Sequence, residues 1–349
     1  MNTYAIIYNR GDFLEIINYS IQERLPLPDN FLSVFKDLSF VVFDIETTGL
    51  SPEYNQVILA GILYVQGEHI VIEQFFCHHR REEKALLEAF QDRIKTFDIL
   101  ISYNGDSFDI PFLNKRCRKH RIRAEIDPRK SFDILKFVRR KKELLKLQDC
   151  KLKSVEQSLN IFRTDTISGK ESVELYQAYE ISPSETIKKK ILLHNYDDLY
   201  FFSKCLSILD KVDFNEFLAS APFLIHIKED QLCHIDKRLI KGTTLTCFGF
   251  YTSTNSVNDH LRYELGYKFA YHHRDHTFEL QIPMSKGTLS SGESCLYVNT
   301  TDFPISYERH NSQLNIPNHL IVLKIGKQEQ NTEIVGFLST LLKHLFSEV

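Results

Sequence analysis

Asp44 and Glu46 follow directly on the apolar run Phe40-Val41-Val42-Phe43. On an extended strand, residues spaced i, i+2 project from one face of the sheet. Two carboxylates side by side at the end of a buried strand repel each other unless a cation lies between them. Chemistry that needs such a pair is phosphodiester hydrolysis, where water must be activated and an anionic transition state neutralised. Two divalent metals roughly 4 Å apart do both. Mg²⁺ and Mn²⁺ prefer oxygen ligands, so several carboxylates must converge on one point. Thr47-Thr48-Gly49-Leu50 then turns the chain away.

Two further segments offer acids. In Ser102-Tyr103-Asn104-Gly105-Asp106-Ser107-Phe108-Asp109-Ile110-Pro111, Asp109 stands just before Pro111, a residue suited to the first turn of a helix. Asp109 therefore fits either an N-cap or a metal-site acid, and Asn104-Gly105 reads as a turn. In His194-Asn195-Tyr196-Asp197-Asp198, His194 and Asp198 are i, i+4 and share a helix face. Ile191, Phe202, Leu206 and Leu209 fall on that same face, so Asp198 is expected to point inward and Asp197 towards a less apolar side. A carboxylate on a core-facing stripe is costly unless paired or metal-bound. His194, with a side chain that titrates near neutrality, could deprotonate or orient the attacking water, or simply be a satisfied histidine.

Formal net charge is only −3, yet between Lys115 and Lys142 there are 13 Lys and Arg against Glu125, Asp127 and Asp133. Such a stripe could neutralise phosphates or be a solvated helical surface. Its position between the second and third acidic segments favours the former. His272-His273-Arg274-Asp275-His276 lacks a recognisable ligand spacing and reads as a solvated loop, and Tyr251, Tyr263, Tyr267 and Tyr271 suit either a core or base stacking.

The elements that must position these residues follow from periodicity. Tyr4–Tyr8 and Phe13–Ile17, around Asn9-Arg10-Gly11-Asp12, predict a hairpin. Strands are expected at 40–43, 57–65, 69–76 and 99–103, and helices at 82–95, 112–120, 132–147, 153–159 and 187–209. After Phe214 strands are expected at 223–227, 243–251, 277–282, 295–299 and 319–325, closed by a helix at 333–346. The chain thus divides into an N-terminal hairpin segment (1–34), an α/β domain (35–212) and a C-terminal β-rich or α+β domain (213–349).

With 43% hydrophobic and 26% charged residues among 349, the chain reads as soluble and globular. No apolar run approaches the roughly 20 residues that span a bilayer, and Met1-Asn2-Thr3-Tyr4 lacks a basic region followed by an apolar stretch, so no signal peptide is expected. Seven scattered cysteines without a Cys-x-x-Cys pair suggest reduced thiols in a cytoplasmic protein and no cysteine-built zinc site.

Together, Asp44, Glu46, Asp109 and Asp198 resemble the DEDD exonuclease superfamily. One group of that superfamily has tyrosine four residues before the last aspartate, another histidine five before; His194 has the identity of the second and the spacing of the first. A closer similarity is to the YprB-like ribonuclease H-like exonucleases. It is carried by Ser131-Phe132-Asp133-Ile134-Leu135, Val138-Arg139-Arg140, Cys150–Glu156, Asn160-Ile161-Phe162-Arg163, Ser168-Gly169, Leu175-Tyr176 and His194-Asn195 with Asp198. This covers about 35–212 and implies an RNase H-like mixed sheet flanked by helices. It also implies an exonuclease that releases nucleoside 5′-monophosphates from the end of single-stranded DNA or RNA, 3′-to-5′, with two Mg²⁺ or Mn²⁺ ions. By the same resemblance Asp44 bridges the ions, Glu46 and Asp198 complete one site and Asp109 supports the other. Thr47 and Leu50 would lie against the terminal nucleotide, with Asn104 a further substrate contact. Asp133 could stand behind the metal ligands or cap a helix, the cap being preferred. The rivals are a non-catalytic nucleic-acid-binding module and a structure-specific endonuclease.

Overall fold

The computed structural model describes residues 2–9, 13–123, 125–163, 167–228, 231–252, 258–310 and 314–348, the first segment and Phe13 by their backbone alone. The chain starts as a hairpin of β1 (Asn2–Asn9) and β2 (Phe13–Ile21); the central residues of the expected turn, 10–12, lie outside the described residues. A short helix α1 (Asp29–Phe35) follows, then β3 (Phe40–Thr47), β4 (Val57–Gln66), β5 (His69–Cys77), α2 (Glu83–Ile94), β6 (Ile99–Ser102), α3 (Asp109–Lys119) and β7 (Ser131–Asp133). Four helices follow: α4 (Ile134–Lys141), α5 (Leu152–Ser158), α6 (Gly169–Ile181) and α7 (Glu185–Cys205), the last, where a helix is expected at 187–209, running into a 3₁₀ segment, Leu206–Lys211.

The seven strands form one sheet in the order β1-β2-β5-β4-β3-β6-β7. From β1 to β3 all neighbours are antiparallel, while β3–β6 and β6–β7 are parallel. The sheet is covered on both faces, which is why β4 is buried without interruption from Val57 to Leu63. On one face Val41, Phe43 and Ile45 of β3 pack with Leu86, Leu87 and Phe90 of α2 and with Ile110, Phe112 and Leu113 of α3. On the other, Ile58, Leu59 and Phe76 pack with Tyr176 and Tyr179 of α6 and Ile191 and Leu192 of α7. The period of two therefore sends Asp44 and Glu46 towards α6 and α7.

Among residues up to 212, three elements differ from expectation. The predicted helix at 132–147 begins as strand β7, because Asp133 accepts a hydrogen bond from the Leu135 amide (3.0 Å) and starts the helix only at Ile134. Helix α6 was not anticipated, although Ser168 and Glu171 form a capping box at its start. Helix α1, seven residues long, lies where the sequence suggests only the end of the hairpin segment 1–34.

Residues 213–349 form a second compact unit. It contains α8 (Phe214–Leu218), β8 (Phe223–Lys228), β9 (Gln231–Lys241), β10 (Thr244–Thr252), β11 (His260–Tyr263), β12 (Lys268–His272), β13 (Thr277–Pro283), β14 (Ser285–Thr288), β15 (Ser294–Asn299), β16 (Leu320–Ile325), β17 (Gln328–Glu329) and α9 (Asn331–Ser347). A six-stranded sheet, β11-β12-β13-β10-β9-β8, and a four-stranded sheet, β14-β15-β16-β17, share one core with α9. Tyr251, Tyr267 and Tyr271 are buried in that core, so of the four tyrosines considered for base stacking only Tyr263 is exposed. His273–His276 make the turn between β12 and β13. All seven cysteines are free, and among the described residues no helix is long and apolar enough to cross a membrane.

Candidate metal centre

Asp44 and Glu46 reach the α7 side of the sheet at the end of β3, where a register shift between Glu46 and Thr47 ends regular pairing with β4. Helix α7 lies across β3 and β4 and brings His194, Asn195 and Asp198 to the same place. An open cavity of about 650 Å³ is lined there by Asp44, Glu46, Thr47, Leu50, His194 and Asp198, with Gly169 and Lys170 from the start of α6. His194 Nε2 is 3.6 Å from both Glu46 Oε1 and Asp198 Oδ2. One donor atom from each of these three residues lies within 4.8 Å of the others.

Each of three acids has one oxygen held by the protein. The Ser172 hydroxyl on α6 donates to Glu46 Oε2 (3.0 Å). The Asn195 amide donates to Asp44 Oδ2 (2.9 Å) and accepts from Gln74 Nε2 (2.9 Å), which also donates to the Leu192 carbonyl (2.8 Å). Arg163 donates to Asp198 Oδ1. Gly61 on β4 makes room for this arrangement, since a Cβ there would lie 2.2 Å from Asn195 Oδ1.

Asp109 opens α3 without capping it, and its carboxylate accepts from its own amide and that of Ile45. It is absent from the cavity wall, yet near enough for its charge to raise Asp44 and Glu46. Burial is the main cause that drives the acids towards protonation. It lifts Asp44 well above the usual carboxylate range, with the charges of Asp198, Asp109 and Glu46 adding to it. It pushes Glu46 up to about 7, against the favourable charge of His194. Asp109 is likewise pushed up to about 7. Acids crowded this way, with oxygen and imidazole donors and no sulfur, fit a hard divalent cation such as Mg²⁺ or Mn²⁺.

The remaining expected contacts divide. Leu50 is exposed on the cavity rim, while Thr47 is buried and its hydroxyl donates to the Gly49 carbonyl (2.8 Å). Asn104 is not among the lining residues; it takes a positive φ of 75° in the β6–α3 turn, and its amide donates to Asp133 Oδ1 (2.8 Å). On α7 it is Asp197 that is buried, whereas Asp198 is only half-buried. The inward stripe at Asp198 opens onto the cavity instead of onto packed side chains. The basic stripe is also heterogeneous. Arg116 is buried on Glu83 (Nε to Oε1, 2.7 Å) with His120 (2.7 Å), and Arg118 and Arg129 pair with Glu125 and Asp127. Arg139 and Arg140 on α4 are exposed.

Residues 41–208 match the RNase_H_2 family model of the RNase H superfamily. The fold of these residues is RNase H-like. The match spans β3 to the 3₁₀ segment after α7 and so encloses all the acids of the cavity. A DNA polymerase of Methanocaldococcus jannaschii is 30% identical over 93 residues, 24% of this chain and 6% of that one. DNA polymerases III of PolC type from Mycoplasma pneumoniae (31% over 115 residues; 27% of this chain, 8% of that one) and Ureaplasma parvum (30% over 147 residues; 34% and 10%) are also similar. The chain spans a tenth or less of the length of these three relatives. Within residues 41–208, Ser172, Gln74 and Gly61 escaped sequence reasoning as site residues, and Asn195 and Arg163 entered it only as parts of resembling strings. Their partners lie far away in sequence, as far as 151 residues for Asn195 and Asp44. The Ser168-x-x-Glu171 signal would have placed Ser172 on a helix, though not against Glu46.

Proposed function

We propose that this chain is a two-metal DEDD exonuclease that hydrolyses phosphodiester bonds at the end of a single-stranded DNA or RNA, 3′-to-5′, releasing nucleoside 5′-monophosphates. The observation that carries the reading is the convergence of Glu46, His194 and Asp198 within 4.8 Å at the wall of a cavity that Asp44 also lines. The RNase H superfamily match and the similarity to DNA polymerases support it. Asp44, Glu46 and Asp198 would hold the cations, with Asp109 behind them on the Ile45 amide. Bound divalent cations would supply activation of water and neutralisation of the phosphate. Glu46 and Asp109, set near 7 by burial, must lose their protons for this. His194, facing Glu46 and Asp198, is placed to receive or orient a proton at Nε2. Leu50 at the rim offers an apolar surface to a terminal base, and Lys170 a charge to the backbone phosphates. Residues 213–349 have no part in this assignment.

End-labelled linear strands and closed circles of DNA and of RNA, incubated with Mn²⁺, test the proposal. Linear strands should be degraded from the 3′ end and circles left intact. Cleaved circles would make the protein an endonuclease. Undiminished activity in Asp44→Ala or Asp198→Ala would remove the proposed centre, and no metal-dependent cleavage of any substrate would point to a binding module.

A further inference from the structure

Arg163 belongs to the string Asn160-Ile161-Phe162-Arg163 and has no part in the assignment above. Its guanidinium is largely buried, with 13% of the side chain exposed, and bridges two acids on different helices. On one side its Nε donates to Glu156 Oε1 of α5 (2.6 Å), and Nη2 donates to the same oxygen. On the other, Nη1 donates to Asp198 Oδ1 of α7. Glu156 is itself buried, so the guanidinium cannot leave without stranding a carboxylate in the interior. Its Cζ also lies over the Phe201 ring, 5.8 Å from the centroid. The Asp198 carboxylate is thereby split between two tasks. Oδ1 is turned to Arg163, while Oδ2 faces His194 and the donor cluster.

We propose that Arg163 is a positioning residue for the metal centre: anchored by Glu156, it holds Asp198 Oδ1 and leaves Oδ2 as the single oxygen that Asp198 offers to a divalent cation. The inference rests on the metal-site reading above. It completes a pattern in which Ser172 holds one oxygen of Glu46 and Asn195 one oxygen of Asp44. Arg163 differs from those two because it is charged and forked, so Nε and Nη2 anchor it on Glu156 while Nη1 reaches Asp198. A lysine would keep the charge but not the fork. Partners of metal ligands that orient them in this way are typically worth about 10–100-fold in metal affinity.

Mn²⁺ binding to the full chain, followed by electron paramagnetic resonance of free Mn²⁺, tests the proposal without any substrate. The paired variant Glu156→Gln/Arg163→Met removes both charges together and avoids a lone buried carboxylate. It should weaken one of two Mn²⁺ sites about 10-fold or more and leave the other unchanged, with the metal-free melting temperature close to that of the wild type. Arg163→Lys should fall between the two, and serves as the second variant if the pair does not fold. Unchanged affinity would overturn the proposal. Tighter binding would overturn it as well, because the guanidinium would then be competing with the cation. Absence of Mn²⁺ binding by the wild type would refute the metal-site reading itself, which Asp198→Asn, expected to lose the site in a folded chain, tests separately.

Discussion

At the scale of single residues, the centre depends on groups that do no chemistry themselves. A methyl group at Gly61 would press on Asn195 Oδ1 at 2.2 Å and on Leu199 Cδ1 at 2.6 Å. Gly61→Ala should therefore cost about 1–3 kcal/mol by overpacking, and, by turning Asn195 away from Asp44, weaken Mn²⁺ binding. Urea denaturation with a parallel Mn²⁺ titration measures both; wild-type values in each would mean that α7 can shift at no cost. The raised acids make a second prediction. Glu46 and Asp109, pushed up to about 7, bind protons more tightly in the folded chain than in the unfolded one. A raised folded pKa contributes stability below the unfolded value, and that contribution is lost as pH rises through about 7. Asp109→Asn has no such proton to lose. Its metal-free melting temperature relative to the wild type should rise between about pH 5.5 and about pH 8, and a constant difference would count against the shift. Asp44 and Glu46 were legible because acids interrupt an apolar strand. Asn195, Ser172 and Gln74 were not, because a buried amide or hydroxyl looks the same in sequence whichever distant group it serves.

Among the elements, α6 decides how Glu46 is held, since Ser172 projects from its first turn. The helix starts on a reciprocal cap: the Glu171 amide donates to Ser168 Oγ (3.3 Å), and the Ser168 amide donates to Glu171 Oε2 (2.7 Å). Ser168→Ala should lower stability by about 1 kcal/mol, read as a shifted urea midpoint with an unchanged slope. A midpoint that does not move would show that packing of Tyr176 and Tyr179 on the sheet sets the helix start alone. The apolar pattern that revealed α2 and α7 is weak in α6, where Ser172 is fully buried beside the tyrosines and Val173 faces the cavity. Cap chemistry was the stronger signal there. Strand β7 was hidden for the opposite reason: three residues, Ser131–Asp133, have no measurable period, and their extended state is set by parallel pairing with β6. In the second unit β10, β13 and β16 alternate or run apolar and were readable, whereas β9, with Asp236 and Lys237 exposed in its middle, was not.

For the whole molecule, the hairpin decides where the unit that carries the acidic cluster begins. The sequence suggests a hairpin segment 1–34 ahead of a separate domain at 35–212. In the fold, β2 pairs with β5 over Leu14–Ile21, and Ile17 lies in the core with Phe76 and Tyr176. Lys188 of α7 donates to Glu15 Oε2 (3.0 Å), which also meets His78 Nε2 (2.9 Å). Removing 1–34 would leave β5, which carries Phe75 and Phe76, as an unpaired edge strand, a template for aggregation. Residues 1–212 contain the complete sheet and both of its cores. We propose that this is the autonomous unit. Expressed alone, 1–212 should be soluble, melt cooperatively and bind Mn²⁺ with the affinity of the full chain, whereas 35–212 should aggregate. A folded, Mn²⁺-binding 35–212 would show that the hairpin is an appendage; an unfolded 1–212 would mean that residues 213–349 are needed to stabilise it.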